Sequence, residues 1–168
     1  ERLVTVMQDT PTNFETDLFM PIIERIETLT DGVKYSESNE GKVSFKVIAD
    51  HIRAVAFAIS DGALPSNEGR GYIIRRLIRR SVMHGRRLGI TTLFLSDLVP
   101  TITEIMGGYY AELNEKLDFV QTIIKNEEER FHETIGDGEL QLENILAQLT
   151  EEGKTVVYFA KNEVIVGM

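Results

Sequence analysis

A chain of 168 residues with 42% apolar and 27% charged side chains can bury one hydrophobic core or two small helical ones, and its longest apolar runs, such as Val55 to Ile59, are too short to span a bilayer. With no cysteine it has no disulfide frame, thiolate nucleophile or cysteine-type zinc site, and His51, His84 and His132 are too scattered to form a metal cluster. The net charge of −9 argues against nucleic acid only if it is evenly spread. The first residues, Glu1-Arg2-Leu3-Val4, carry neither a basic stretch nor a cleavage site, so the N-terminus reads as a cut inside a longer, cytoplasmic protein and not as a signal peptide.

Arg2 to Met7 reads as the last turns of a helix. After a turn at Asp9 to Asn13, Thr16 or Asp17 can cap a helix running to about Thr30, with Pro21 tolerated in its first turn. A polar loop follows, Asp31 to Gly41. From about Ser44 to Asp61 the apolar positions Phe45, Ile48, Ile52, Val55, Phe57 and Ile59 predict a helix in which Asp50 and Arg53 pair inside the core and His51 is a satisfied core histidine. Asp61 to Gly69 is dense in turn formers and reads as a loop. The next helix is rich in arginine and closes at Gly89. Ser96 or Asp97 can cap another, to about Met106, which Gly107-Gly108 ends. A long amphipathic helix from Tyr110 to about Ile135, with Leu113, Leu117, Val120, Ile124 and Phe131 on one side, is expected to turn at Gly136-Asp137-Gly138 into a second helix, Glu139 to Glu152, forming a hairpin. Only the tail, at Val156, Val157, Tyr158 and Phe159, alternates like a strand. The fold class expected is all-α, about six helices with a short β-like C-terminal tail.

Charge is concentrated. No Asp or Glu occurs between Gly69 and Ser96, whereas Arg70, Arg75, Arg76, Arg79, Arg80, Arg86 and Arg87 give that window +7 and leave −16 for the rest. On a helical wheel Ile73, Ile74, Leu77, Ile78, Ser81 and Leu88 share one arc and Arg75, Arg76, Arg79, Arg80, Arg86 and Arg87 the other, so one face is core and the other guanidinium. A guanidinium fork grips phosphate oxygens in pairs and stays charged when partly desolvated. The competing expectation is that acidic side chains such as Glu127, Glu128 and Glu129 pair these arginines within the protein, which would make a helical protein-interaction module. Ahead of the helix, Ser66 and Asn67 either cap it or hydrogen-bond a ligand; an asparagine, carrying donor and acceptor together, can read a base edge while arginines hold the backbone. No catalytic triad, carboxylate pair or phosphate loop is present, so no catalytic residue and no metal ligand is assigned.

The runs Val47-Ile48-Ala49-Asp50-His51-Ile52-Arg53-Ala54 and Asp61 to Arg80 (DGALPSNEGRGYIIRRLIRR), with His84-Gly85, closely resemble the alanyl-tRNA synthetase family. Glu1-Arg2-Leu3 resembles the end of the third class II synthetase motif, and Thr16-Asp17-Leu18-Phe19 the segment after it. The resemblance implies a parent enzyme that ligates alanine to tRNA(Ala) through an adenylate, using ATP and magnesium, with this region reading the acceptor stem and its G·U wobble pair. It places Arg2 on the family's ATP-contacting arginine, Asn67 on a base reader, and Ser66, Arg70, Arg75, Arg76, Arg79, Arg80, Arg86 and Arg87 along the tRNA backbone. It further implies a remnant of the catalytic domain at 1–13, a helical tRNA-recognition domain at 14–153 and a tail at 154–168. Expected partners are the acceptor stem and the catalytic domain of the same parent chain, with no membrane and no DNA. No cofactor is expected within this region and no catalysis from it alone. The family's usual Leu-Tyr-Asp-Thr-Tyr-Gly-Phe-Pro-like segment, whose aspartate is a second reader, is replaced by Val157-Tyr158-Phe159-Ala160-Lys161-Asn162; the tail is either divergent or not native.

Overall fold

The structure is a computed structural model that describes residues 1–37, 39–151, 158–161 and 164–167. The chain divides into two compact units, Glu1–Glu129 and Arg130–Met168. In the first, helix α1 (Arg2–Met7) leads through a single 3-10 turn (Asn13–Glu15) to α2 (Met20–Leu29), α3 (Asn39–Ser60) and α4 (Gly69–Arg87); a second 3-10 turn (Leu95–Leu98) runs into α5 (Val99–Met106), followed by α6 (Ala111–Glu115) and α7 (Leu117–Glu151), which continues into the second unit. The second unit also holds an antiparallel pair, β1 (Tyr158–Lys161) and β2 (Val164–Gly167), in the register Tyr158 opposite Gly167. The all-α expectation therefore holds, with strand structure confined to the tail; Val156 and Val157 lie outside the described residues.

Helix α3 is the centre of the first unit because its apolar residues recur every three or four positions: Phe45, Ile48, Ala49, Ile52, Val55, Ala56 and Ile59 are all buried. Against them pack Ile22, Ile23 and Ile26 of α2, Ile74, Ile78 and Val82 of α4, and Val99 and Ile102 of α5. Each large side chain so buried contributes about 1.5–3 kcal/mol. Lys116 donates to the carbonyl of Ser60 at 2.6 Å, satisfying one of the carbonyls left open at the C-terminus of α3. Gly89 stands at φ 85, the left-handed conformation that ends α4 where the sequence predicted.

Several expectations are corrected. No hairpin forms at Gly136-Asp137-Gly138: α7 runs unbroken through both glycines, neither of which takes a positive φ. A helical glycine costs about 1 kcal/mol relative to alanine, a penalty that weakens a helix without breaking it. Thr16 does not cap α2 with its side chain; its carbonyl accepts from Phe19 and Met20, and the helix begins at Met20. Helix α3 starts at Asn39, five residues before Ser44, and neither Ser96 nor Asp97 caps α5. Asp50 and Arg53 do not pair in the core. Asp50 is exposed and lies 3.0 Å from His51 Nδ1, while Arg53 bonds Glu1 and lays its guanidinium 3.9 Å from the centre of the Phe19 ring. His51 is only half satisfied, its Nε2 buried without a partner among the described residues.

Candidate nucleic-acid interface

Helix α4 is turned about its axis relative to the wheel drawn from hydrophobicity. Its buried face is Gly71, Ile74, Ile78, Ser81, Val82, His84 and Gly85, whereas Ile73 is 58% exposed and joins the outer face. Small residues cause the rotation. A Cβ at Gly71 would overlap the carbonyl oxygen of Leu64 and the Ser66 hydroxyl, and one at Gly85 would sit 2.5 Å from the Phe94 ring, so the closest approaches occur along the line of glycines. Gly71 thereby seats the loop that carries Ser66 and Asn67 directly on the first turn of the helix. At the other end His84, buried, meets Ser44 across 3.0 Å; burial, with the charges of Arg87, Arg80 and His51, lowers its pKa to about 4 and keeps the ring neutral.

The outer face carries Tyr72, Ile73, Arg76, Arg80, Met83 and Arg87, all exposed, with Arg70 exposed one turn earlier. Among the described residues the side chains of Arg70, Arg76 and Arg80 make no hydrogen bond or ion pair. Arg75 and Arg79 differ. Both turn toward α7, where Glu127, 3% exposed, puts one carboxylate oxygen 3.0 Å from Arg75 Nε and 3.1 Å from Arg79 Nε. The internal-pairing expectation thus holds for two of the arginines, which corrects their assignment to an open guanidinium face. Arg86 and Arg87 also have interactions within the protein. Glu128, fully buried, faces neither arginine; it accepts from the backbone N–H groups of Phe94 and Leu95, at 3.1 Å each. Burial, partly opposed by those N–H groups, raises its pKa to about 7. This carboxylate does for the 3-10 turn what Ser96 and Asp97 were expected to do for the helix after it.

Asn67 is exposed and its side-chain oxygen accepts from Arg75 Nη1. Plain N-capping is thereby overturned: the N-cap of α4 is Glu68, with no side-chain cap bond. Ser66 donates to the Glu68 carbonyl at 2.7 Å, tightening the same loop. Arg2 stands exposed on α1, apart from this cluster in the chain. Among the described residues no group of three or more carboxylate or imidazole side chains could hold a metal ion, and no helix is long and apolar enough to cross a membrane.

Sequence reasoning offered Glu127 as a partner for the arginines but missed Glu128 as the acceptor for the backbone of Phe94 and Leu95. The signal was available. The apolar stripe of α7 passes through Val120 and Ile124, and its next positions, three and four residues on, are occupied by glutamates. Carboxylates on a core stripe need cationic or N–H partners.

The family of tRNA synthetases class II (A) matches residues 1–161. Among curated proteins, the chain is 57% identical over 151 residues to an alanine–tRNA ligase of Enterococcus faecalis, covering 90% of this chain and 17% of that protein. It is 57% identical over 157 residues to that of Lactobacillus gasseri, covering 93% and 18%, and 60% identical over 154 residues to that of Streptococcus pyogenes, covering 92% and 17%. The chain therefore spans less than a fifth of the length of the curated relatives it matches. With the sequence runs at 47–54 and 61–85 lying within the matched span, the chain belongs to the class II (A) tRNA synthetases, the alanyl-tRNA synthetase family.

Proposed function

We propose that α4 and the loop before it form an acceptor-stem-binding face of an alanine–tRNA ligase. The observation that supports this most directly is the exposed basic row of Arg70, Arg76 and Arg80, without internal partners among the described residues, running from the loop that presents Asn67. Phosphates supply the counter-charge such a row lacks, and the acidic remainder of the chain discourages indiscriminate binding. In this reading Arg70, Arg76 and Arg80 hold the RNA backbone, with Ser66, Arg86 and Arg87 at the two ends of the same face. Asn67 reads a base edge. Arg75 and Arg79, held by Glu127, are structural members of the face and not primary phosphate ligands. The whole enzyme joins alanine to tRNA(Ala) with ATP and magnesium, Arg2 serving its nucleotide site, and the remaining catalytic residues come from the parent's catalytic domain.

Binding of an RNA minihelix bearing the alanine acceptor stem, titrated from low to moderate salt, tests this. The affinity should fall steeply with salt, by about one power of salt concentration for each phosphate engaged. An absence of binding at low salt would favour instead a protein-interaction module, the reading that the Glu127 pairs support for two of the seven arginines.

A further inference from the structure

We propose that Glu127 and Arg75 are positioning residues for Asn67, fixing its side chain so that the amide N–H2 points outward and the contact it makes with RNA is a donated hydrogen bond. The inference rests on the acceptor-stem reading above and adds to it which atom reads and what holds that atom.

A guanidinium has five N–H donors and no acceptor, so the atom of Asn67 facing Arg75 is its oxygen. That engagement turns the amide oxygen toward Arg75 and leaves Nδ2, which makes no hydrogen bond among the described residues, as the donor still to be used. An exposed asparagine otherwise rotates freely and presents either end, so as a reader it would accept both carbonyl and amino groups. Arg75 removes that ambiguity. The arginine is itself held by charge: its side chain is 18% exposed, and Nε, which makes no hydrogen bond among the described residues, forms an ion pair 3.0 Å from an oxygen of Glu127, whose own side chain is 3% exposed and accepts from a second arginine, Arg79, at 3.1 Å on the same oxygen. A buried carboxylate on α7 thus anchors a guanidinium on α4, which sets the rotamer of a loop asparagine. On a base edge, a fixed N–H2 donor matches the O4 carbonyl of uracil and opposes the N4 amino group of cytosine. That is the difference between a G·U pair and a G·C pair. The chain thereby gains discrimination from a residue that touches no RNA.

The test uses the 168-residue chain with two minihelices that differ only in G·U against G·C. Arg75→Lys keeps the positive charge but loses the fork that reaches both Glu127 and Asn67. The wild type should prefer the G·U stem by about fivefold or more, the range of one good base contact. In Arg75→Lys that preference should collapse to within about twofold of unity, while affinity for the G·C stem stays within about threefold of wild type. Glu127→Gln should move in the same direction. Asn67→Asp keeps an acceptor for Arg75 and removes the outward donor, so it should also abolish the preference, and it serves if Arg75→Lys does not fold. Retained preference in Arg75→Lys overturns the positioning role while leaving the acceptor-stem reading intact. Retained preference in Asn67→Asp overturns the donor assignment. Equal binding of both stems by the wild type overturns the base-reading role of Asn67 and this proposal with it.

Discussion

Glutamine in place of Glu128 separates the two jobs that residue performs, accepting backbone N–H bonds and carrying a titratable proton. The carboxylate is fully buried and accepts from Phe94 and Leu95. Burial dominates its ionisation and, with smaller pushes from Asp97 and Glu129 and against the pull of the two N–H groups, moves it from 4.5 to about 7. That displacement corresponds to about 3 kcal/mol between the two protonation states. The folded protein holds a proton that the unfolded chain releases between pH 4.5 and 7. Its stabilising contribution is thus complete below pH 4.5 and lost as pH rises through 7. Glutamine keeps a carbonyl oxygen for the N–H groups and does not titrate. Relative to wild type, Glu128→Gln should therefore gain up to about 3 kcal/mol on passing from pH 4.5 to pH 8. Urea unfolding of both proteins at four pH values across that range measures the difference. The titration of His84, whose depressed pKa gives the opposite slope between pH 4 and 6.5, is common to both proteins and cancels. A stability difference that does not change with pH would refute the reasoning: the N–H groups would then outweigh burial and the carboxylate would be ionised throughout.

Replacing Arg76 and Arg80 together by glutamine should weaken binding of G·U and G·C stems alike and flatten the salt dependence by about two powers of concentration; an unchanged slope in a filter-binding titration would take both residues off the phosphates. Gly71→Ala forces a methyl group into the Leu64 carbonyl and the Ser66 hydroxyl, so it should cost about 1–3 kcal/mol in urea unfolding and reduce the preference between stems, because the loop carrying Asn67 must lift. Gly136→Ala and Gly138→Ala should each favour helix by about 1 kcal/mol and raise helical circular dichroism, with greater amide protection around 132–142; reduced helicity would restore the turn expected at Gly136-Asp137-Gly138.

The sequence made most of this fold legible where one local signal governs it. The three- and four-residue recurrence along α3 needs no tertiary information, and Gly89 ends α4 because few other residues adopt its φ. Legibility failed where packing decides between local options. Ile73 and Ile74 are equivalent to a hydrophobicity wheel, and the choice between them is made by Gly71 and Gly85, residues a wheel discounts, which admit the Leu64–Ser66 loop and Phe94 to the helix surface. Gly136 and Gly138 read as a break on propensity alone, which leaves out the length of helix on either side that carries α7 through them. At the site, the arginine concentration and the Asn67 loop were visible in the sequence. The division of the arginines into exposed and internally held sets was not, because it depends on the 48-residue separation between Arg79 and Glu127 being closed by the fold.

Glu127 and Glu128 are followed by Glu129, so three consecutive positions of α7 offer the same headgroup. A one-residue slip of this helix would place Glu128 before the arginines and Glu129 before the backbone of Phe94 and Leu95, satisfying both partners with the wrong residues. In that slip the carboxylates act as interchangeable keys, and alignment of the helix falls to Val120 and Ile124, each at most 1% exposed, because the residues one position C-terminal to them, Gln121 and Lys125, would enter the core in their place. A single-residue deletion before Val120 is consequently vetoed by hydrocarbon alone, and the helix that carries these carboxylates keeps time by its two greasy residues.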